Sequence, residues 1–258
     1  MSCYYLSWES LATNNFFLFN NYNRSGKHFA FMNQPSAGFV NYQVLVESVV
    51  PVIAAAKGEV TEKLVEKFMM RAKPMFEEKV ARVFRRKMGF SDDMEVADTV
   101  WESLQGLMRS TRVDWTIFWR QLSMVAAEHE GYTNENYEAM LDVIIAEGVE
   151  SPFYEPLSPE QRAQYLAWIE MWRDMLIGEE NVAERMRMAN PKYVLREWML
   201  VNAYNEAAKG NECELHDLFA LIQAPFDEGT PEQQTKYYRR TPDNAHMAGG
   251  TAFMSWSS

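Results

Sequence analysis

The sequence predicts a mainly α-helical protein, on three observations. Apolar residues recur three and four apart over long segments, as along Val60, Leu64 and Phe68 and then Phe76, Val80, Val83 and Phe84. Helix-starting residues recur at Asp114, Ser158-Pro159 and Asn190-Pro191, where a short polar side chain can cap and proline fits the first turn. No run of alternating apolar and polar residues stands out as a strand.

Residues 1 to 27 carry aromatic pairs and asparagine runs without a clear period, so they read as an irregular N-terminus. From about Asn41 the chain is almost wholly apolar, which predicts a helix buried on most sides. Pro51 is expected to kink it or to start a second helix. Val60 to Met88 reads as one long amphipathic helix or a broken pair, with Pro74 marking a kink. The run Arg85-Arg86-Lys87 at its end reads as a solvated basic cluster favoured by the helix dipole rather than as a phosphate site.

Asp92 to Met108 is acidic first and apolar later, as a helix should be. Asp114 then caps an aromatic helix whose Trp115, Phe118, Trp119 and Leu122 form one stripe, expected to pack in a core. A further helix is predicted near Asn134 to Glu147, followed by a linker-like piece rich in Pro, Ser and Glu from Gly148 to Pro159. Ser158-Pro159-Glu160 opens a helix with Tyr165, Trp168, Met171, Trp172 and Met175 on its apolar side. A short helix is predicted over Glu179 to Met188.

Asn190 and Pro191 are then predicted to start a helix through Val194, Leu195, Trp198 and Val201, closed by Gly210 after Lys209. A shorter helix is predicted from near Glu214 to Pro225. Arg196 lies among apolar neighbours, so its guanidinium requires a buried partner.

With 258 residues, 47% hydrophobic and 14% aromatic, the chain can hold one good-sized core or two small ones and is not of disordered type. Its 25 basic and 36 acidic residues give a net charge of −11, which argues against nucleic acid as the main partner. Cys3 and Cys213 alone do not make a disulfide framework, so a reducing compartment is the default and Cys213 is expected to be buried and inert. Val44 to Ala56 is the most apolar stretch, but Glu47 and Pro51 interrupt it, so no membrane span and no membrane partner are expected. No targeting signal is visible in the chain.

Familiar catalytic signatures are missing. There is no Gly-x-Gly-x-x-Gly, no P-loop, no Val-Ala-x-Lys and no Gly-x-Ser-x-Gly. His129 between two glutamates, and Glu214 with His216, lack partners at ligand spacing and read as surface polar residues. His28 and His246 are isolated.

Several short segments carry a resemblance. They are Phe29, Phe31, Asn33-Gln34-Pro35 and Asn41; Lys87-Met88-Gly89-Phe90; Asp114-Trp115-Thr116-Ile117-Phe118-Trp119-Arg120-Gln121-Leu122-Ser123; and Asn190-Pro191 with Val194-Leu195-Arg196 and Trp198. The Ala-Ala-Lys-Gly turn, Pro225-Phe226, Arg240-Thr241-Pro242-Asp243 and the closing Ser255-Trp256-Ser257-Ser258 complete the set. Together they resemble the C-terminal half of the selenoprotein O family, over residues 28 to 258, with 1 to 27 unlike it.

That resemblance implies the C-lobe portion of a protein-kinase-like fold plus a C-terminal helical extension. It implies an enzyme class that transfers AMP from ATP to Ser, Thr or Tyr hydroxyls of protein substrates with Mg²⁺ or Mn²⁺, and, from eukaryotic relatives, a mitochondrial location. The family's metal-binding Asp lies upstream of the segment matching Asn33-Gln34-Pro35, yet residues 1 to 34 contain no Asp and only Glu9 as a carboxylate. The expectation is therefore that no catalytic, metal or nucleotide-binding residue lies in this chain and that neither ATP nor a metal binds it alone. The missing N-terminal half would then pack on an exposed apolar face. The alternative is a non-catalytic truncated isoform or a helical protein-binding module.

Trp256 stands where the resemblance implies Cys or selenocysteine, a redox position that indole chemistry cannot serve. A UGA codon read as Trp would account for it; a TGG codon would make it an ordinary substitution.

Overall fold

The computed structural model describes residues 34–58, 61–94, 97–128, 136–146 and 151–241. The described residues form ten helices and a single antiparallel bridge, Val113 to Phe153. In order they are α1 (Gln34–Lys57), α2 (Thr61–Lys87), α3 (Ala97–Thr111), α4 (Trp115–Glu128) and α5 (Tyr137–Ala146). Then follow α6 (Pro159–Met175), α7 (Val182–Ala189), α8 (Glu197–Ala207), α9 (Cys213–Gln223) and α10 (Pro231–Tyr237).

Helix α4 organises the molecule because it is buried nearly all round, with its few polar side chains buried as well. Trp115, Phe118, Trp119, Leu122, Val125 and Ala126 enter the larger core with the end of α2 and with α3, α5, α6 and α7. Ile117, on another side, enters a second core with Tyr193, Met199, Ala203, Leu218, Leu221, Tyr237 and Tyr238. The aromatic stripe is therefore core, as its spacing indicated. Two of the buried indoles reach backbone acceptors: Trp168 Nε1 donates to Val100 O at 3.0 Å and Trp172 Nε1 to Met88 O at 2.8 Å.

Local signals set several helix ends. Ser158 Oγ accepts from Gln161 N–H while Gln161 Oε1 accepts from Ser158 N–H, a capping box with Pro159 behind it. Thr230, Pro231 and Gln233 repeat it at α10. Gly89 ends α2 at φ +88°, where a Cβ would also lie 2.6 Å from Val182 Cγ1, so only glycine lets α7 approach. Gly210, at φ +85°, follows α8 as read from the sequence.

Four expectations are corrected. Asn190 and Pro191 do not open a helix: Asn190 closes α7, and α8 starts only at Glu197, leaving Val194 and Leu195 outside it. Tertiary bonds outcompete the cap signal. Asn190 spends its side chain on Lys87, while the Lys192 and Tyr193 N–H groups donate to Pro225 O at 2.7 and 3.2 Å. Arg85 and Lys87 are buried, and Arg86 alone keeps the solvated role. Cys213 is exposed, in the first turn of α9, rather than buried with Leu218 and Leu221 further along.

The fourth correction concerns α1. It begins at Gln34 and continues past Pro51, so no second helix starts there, and α2 is one helix through Pro74 rather than a broken pair. Pro51 and Glu47 are both exposed, so the carbonyl that proline leaves unpaired can face water. Far from being buried on most sides, α1 packs on α2 through Val46, Val50 and Leu64, with Tyr42, Ile53, Val65, Phe68 and Met69 against them. Val40, Val44, Leu45, Val49 and Val52 stay exposed, Val52 at 72%. Pro35–Lys57 is the one helix among the described residues long and apolar enough to cross a membrane, and 17% of its most apolar window is buried.

Candidate functional site: the ionic seam of the fourth helix and the groove beside the first

Two places gather polar chemistry or space. The first is a seam of buried charges along α4. Asp114 Oδ1 accepts from Ile117 N–H at 3.0 Å, so this carboxylate is the N-cap the sequence indicated. It also takes Arg196 as a fork, with Nη1 to Oδ2 at 2.6 Å and Nη2 to Oδ1 at 2.8 Å. Both residues are buried. Burial pulls the Arg196 pKa down, but the charge and hydrogen bonds of Asp114 outweigh it and leave it raised. Arg196 thus has the buried partner its apolar neighbours required. Burial raises the Tyr154 and Tyr238 hydroxyls nearby, with the Asp114 charge adding to it, so both stay neutral.

Two turns along the seam, Arg120 collects four acceptors. Its Nη1 donates to Arg187 O at 3.3 Å and Asn190 O at 3.1 Å, and its Nη2 to Phe226 O at 3.2 Å and to Glu228. Lys192 Nζ donates to the other Glu228 oxygen at 2.7 Å, and Tyr193 Oη donates to Glu228 O at 2.7 Å. Burial raises the Glu228 pKa, but the hydrogen bond from Lys192 and the Arg120 charge leave it lowered. One carboxylate therefore ties the loop before α10 to α4.

Lys87 completes the seam. Its Nζ donates to Asn190 Oδ1 at 3.1 Å and lies 5.7 and 5.8 Å from the Trp115 and Trp119 ring centres. Burial pushes its pKa down to about 7. Arg85, one turn's face away, is closed by Asp98 at 3.2 and 3.3 Å and by Glu78 and Asp92 O.

A nucleotide and its metal need free carboxylates for Mg²⁺ or Mn²⁺ and free cations for phosphates. The carboxylates that hold this part of the fold together are not free in that sense. Asp114, Glu179 and Glu228 are each paired with Arg or Lys, and among the described residues no three of His, Cys, Asp and Glu come together as a metal site. The buried cations are likewise closed on carboxylates or carbonyls.

The second place is a groove of 630 Å³ between the first turns of α1, the middle of α2 and the start of α3. Phe39, Phe76, Val80, Phe84 and Trp101 form its floor, and Lys73, Glu77, Asp98 and Glu102 its rim. Phe84 and Trp101 stack at 4.0 Å, and Phe39 meets Phe76 edge-on at 5.4 Å.

The residues singled out from the sequence do not converge on either place. Asn33, His28, His129, His246 and Trp256 lie outside the described residues. His216 stands 3.7 Å from Glu212 on an exposed face, and Glu214 is taken by Lys236 and Tyr237 instead. Arg240 donates to Phe153 O at 2.7 Å and lies over the Tyr154 ring at 4.9 Å, pinning the end of the described chain beside the Val113 to Phe153 bridge. Sequence reasoning missed the groove and the burial of Lys87, since both depend on which helices meet.

The family model described as "Protein adenylyltransferase SelO" matches residues 10–223, and the chain belongs to that family. It is 29% identical to a protein nucleotidyltransferase YdiU of Flavobacterium johnsoniae over 93% of this chain and 43% of that protein. Similar proteins of the same name come from Cupriavidus metallidurans, at 28% over 87% and 39%, and Aromatoleum aromaticum, at 26% over 93% and 42%. The chain spans about two-fifths of the length of these curated relatives.

Proposed function

We propose that this chain is the C-terminal helical part of a kinase-like protein adenylyltransferase and that by itself it does not carry the nucleotide and metal site. The reaction of such an enzyme joins the oxygen of a Ser, Thr or Tyr hydroxyl to the α-phosphorus of ATP, releases pyrophosphate and gives up the hydroxyl proton. Cations and a divalent metal must stabilise the charge that builds on the phosphates.

The observation that carries the proposal is the closure of the seam. Asp114 and Glu228 in the seam hold the fold together by neutralising Arg196, Arg120 and Lys192, which sets them to structural work. Two further points support it. Most of each relative's length lies outside the matched region. The outer face of α1, with Val44, Leu45, Val49 and Val52, is an apolar surface on which another part of such a fold would pack.

The test is transfer. Purified chain, α-labelled ATP and Mg²⁺ or Mn²⁺, with a mixture of acceptor proteins, are expected to yield no labelled protein. Label that stays on protein after denaturation, and that appears only when both chain and metal are present, would overturn the proposal. A second reading, a helical protein-binding module, is favoured by the groove beside α1.

A further inference from the structure

The groove has a chemistry of its own. Its floor is aromatic, its volume of 630 Å³ is that of a site for several side chains, and its rim is acidic. The rim carboxylates differ in one respect. Asp98 is engaged by Arg85. Glu77 on α2 and Glu102 on α3 are exposed, face the opening from two walls, and make no ion pair among the described residues. Lys73 adds one positive charge and leaves the rim acidic.

We propose that this groove receives a basic amphipathic helix of a protein partner. Apolar side chains at i, i+3 or i+4, and i+7 would lie on Phe39, Phe76, Val80 and Trp101, and flanking Lys or Arg residues would reach Glu77 and Glu102. Charge complementarity selects the partner. Two unpaired carboxylates on a chain of net charge −11 attract a cationic segment and repel an acidic one. Aromatic faces under the rim suit the stems and heads of Lys and Arg. The architecture selects a helix. An extended partner gains its main-chain hydrogen bonds from a sheet edge, and no sheet exists among the described residues, whereas a helix satisfies its own backbone. The groove adjoins the exposed face of α1 through Val40, but the proposal needs no nucleotide and so is tested separately from the adenylyltransferase reading.

The experiment is a calorimetric titration of the full chain with a synthetic amphipathic helix that carries leucines on one face and lysines along its flanks. Micromolar binding is expected, weakened at least tenfold in the double variant Glu77→Lys, Glu102→Lys. Both positions are exposed, so thermal unfolding should match the parent chain. A peptide with glutamates in place of the lysines should bind the parent poorly and the charge-reversed variant well. Absence of binding, equal binding of both peptides, or stronger binding of a proline-rich peptide of the same charge would overturn the proposal. So would dimerisation of the chain in sedimentation that the two substitutions abolish, since a second copy would then be the occupant.

Discussion

Asp114→Ala is expected to destabilise the chain by about 3–5 kcal/mol, because it strands a buried guanidinium. The size follows from what the carboxylate does. It neutralises Arg196 through two short hydrogen bonds and caps the helix on which both cores are built. A stability of about 5–15 kcal/mol is usual for a domain, so this one change removes a large share. The companions separate the two roles. Asp114→Asn keeps an acceptor for Ile117 N–H but drops the charge, and should lose less than alanine does. The double variant Asp114→Leu, Arg196→Met removes both charges and should recover much of the loss, since the cost lies in leaving one charge alone. Urea unfolding followed by circular dichroism reads all four proteins. Equal stability of Asp114→Ala and the parent would mean that the pair is not buried as described.

Trp172→Ala should cost a comparable amount, about 3–5 kcal/mol, for a different reason. The indole is fully buried, stacks on Trp168 at 5.8 Å with planes 7° apart, and donates to Met88 O at 2.8 Å. Its removal opens a cavity between α6 and the end of α2 and leaves a buried carbonyl without its donor. Trp172→Phe refills most of the cavity but not the hydrogen bond, so its loss should be about 1–3 kcal/mol. Thermal unfolding that ranks alanine below phenylalanine below the parent supports this arrangement; phenylalanine as damaging as alanine would place the weight on the hydrogen bond.

What could be read from the sequence was local, and what could not was tertiary. Ser158-Pro159 and Asp114 announced their helices because a cap needs only the next three residues. Arg196 announced a buried partner because no arginine sits among apolar neighbours unpaired, although nothing local named Asp114. Asn190-Pro191 misled for the opposite reason. It carries a helix-start signal, yet Asn190 is claimed by Lys87 and the following segment by Pro225. The same long-range claim hid Lys87: three basic residues in a row at a helix end look solvated until Asn190, Trp115 and Trp119 close over one of them. Helix α1 shows the last limit. Apolarity all round says that a helix should be covered, but not by what, and among the described residues only its α2 side is covered in depth. The groove was illegible because its floor comes from three helices and its unpaired carboxylates from two.

Binding of Mg²⁺-ATP to the isolated chain is the most direct measurement of whether a nucleotide site exists here. Calorimetric titration at millimolar Mg²⁺ is expected to give heats of dilution only, with and without Mn²⁺ in place of Mg²⁺. A saturable micromolar isotherm that requires the metal would contradict the closed seam along α4 and return the catalytic site to this chain.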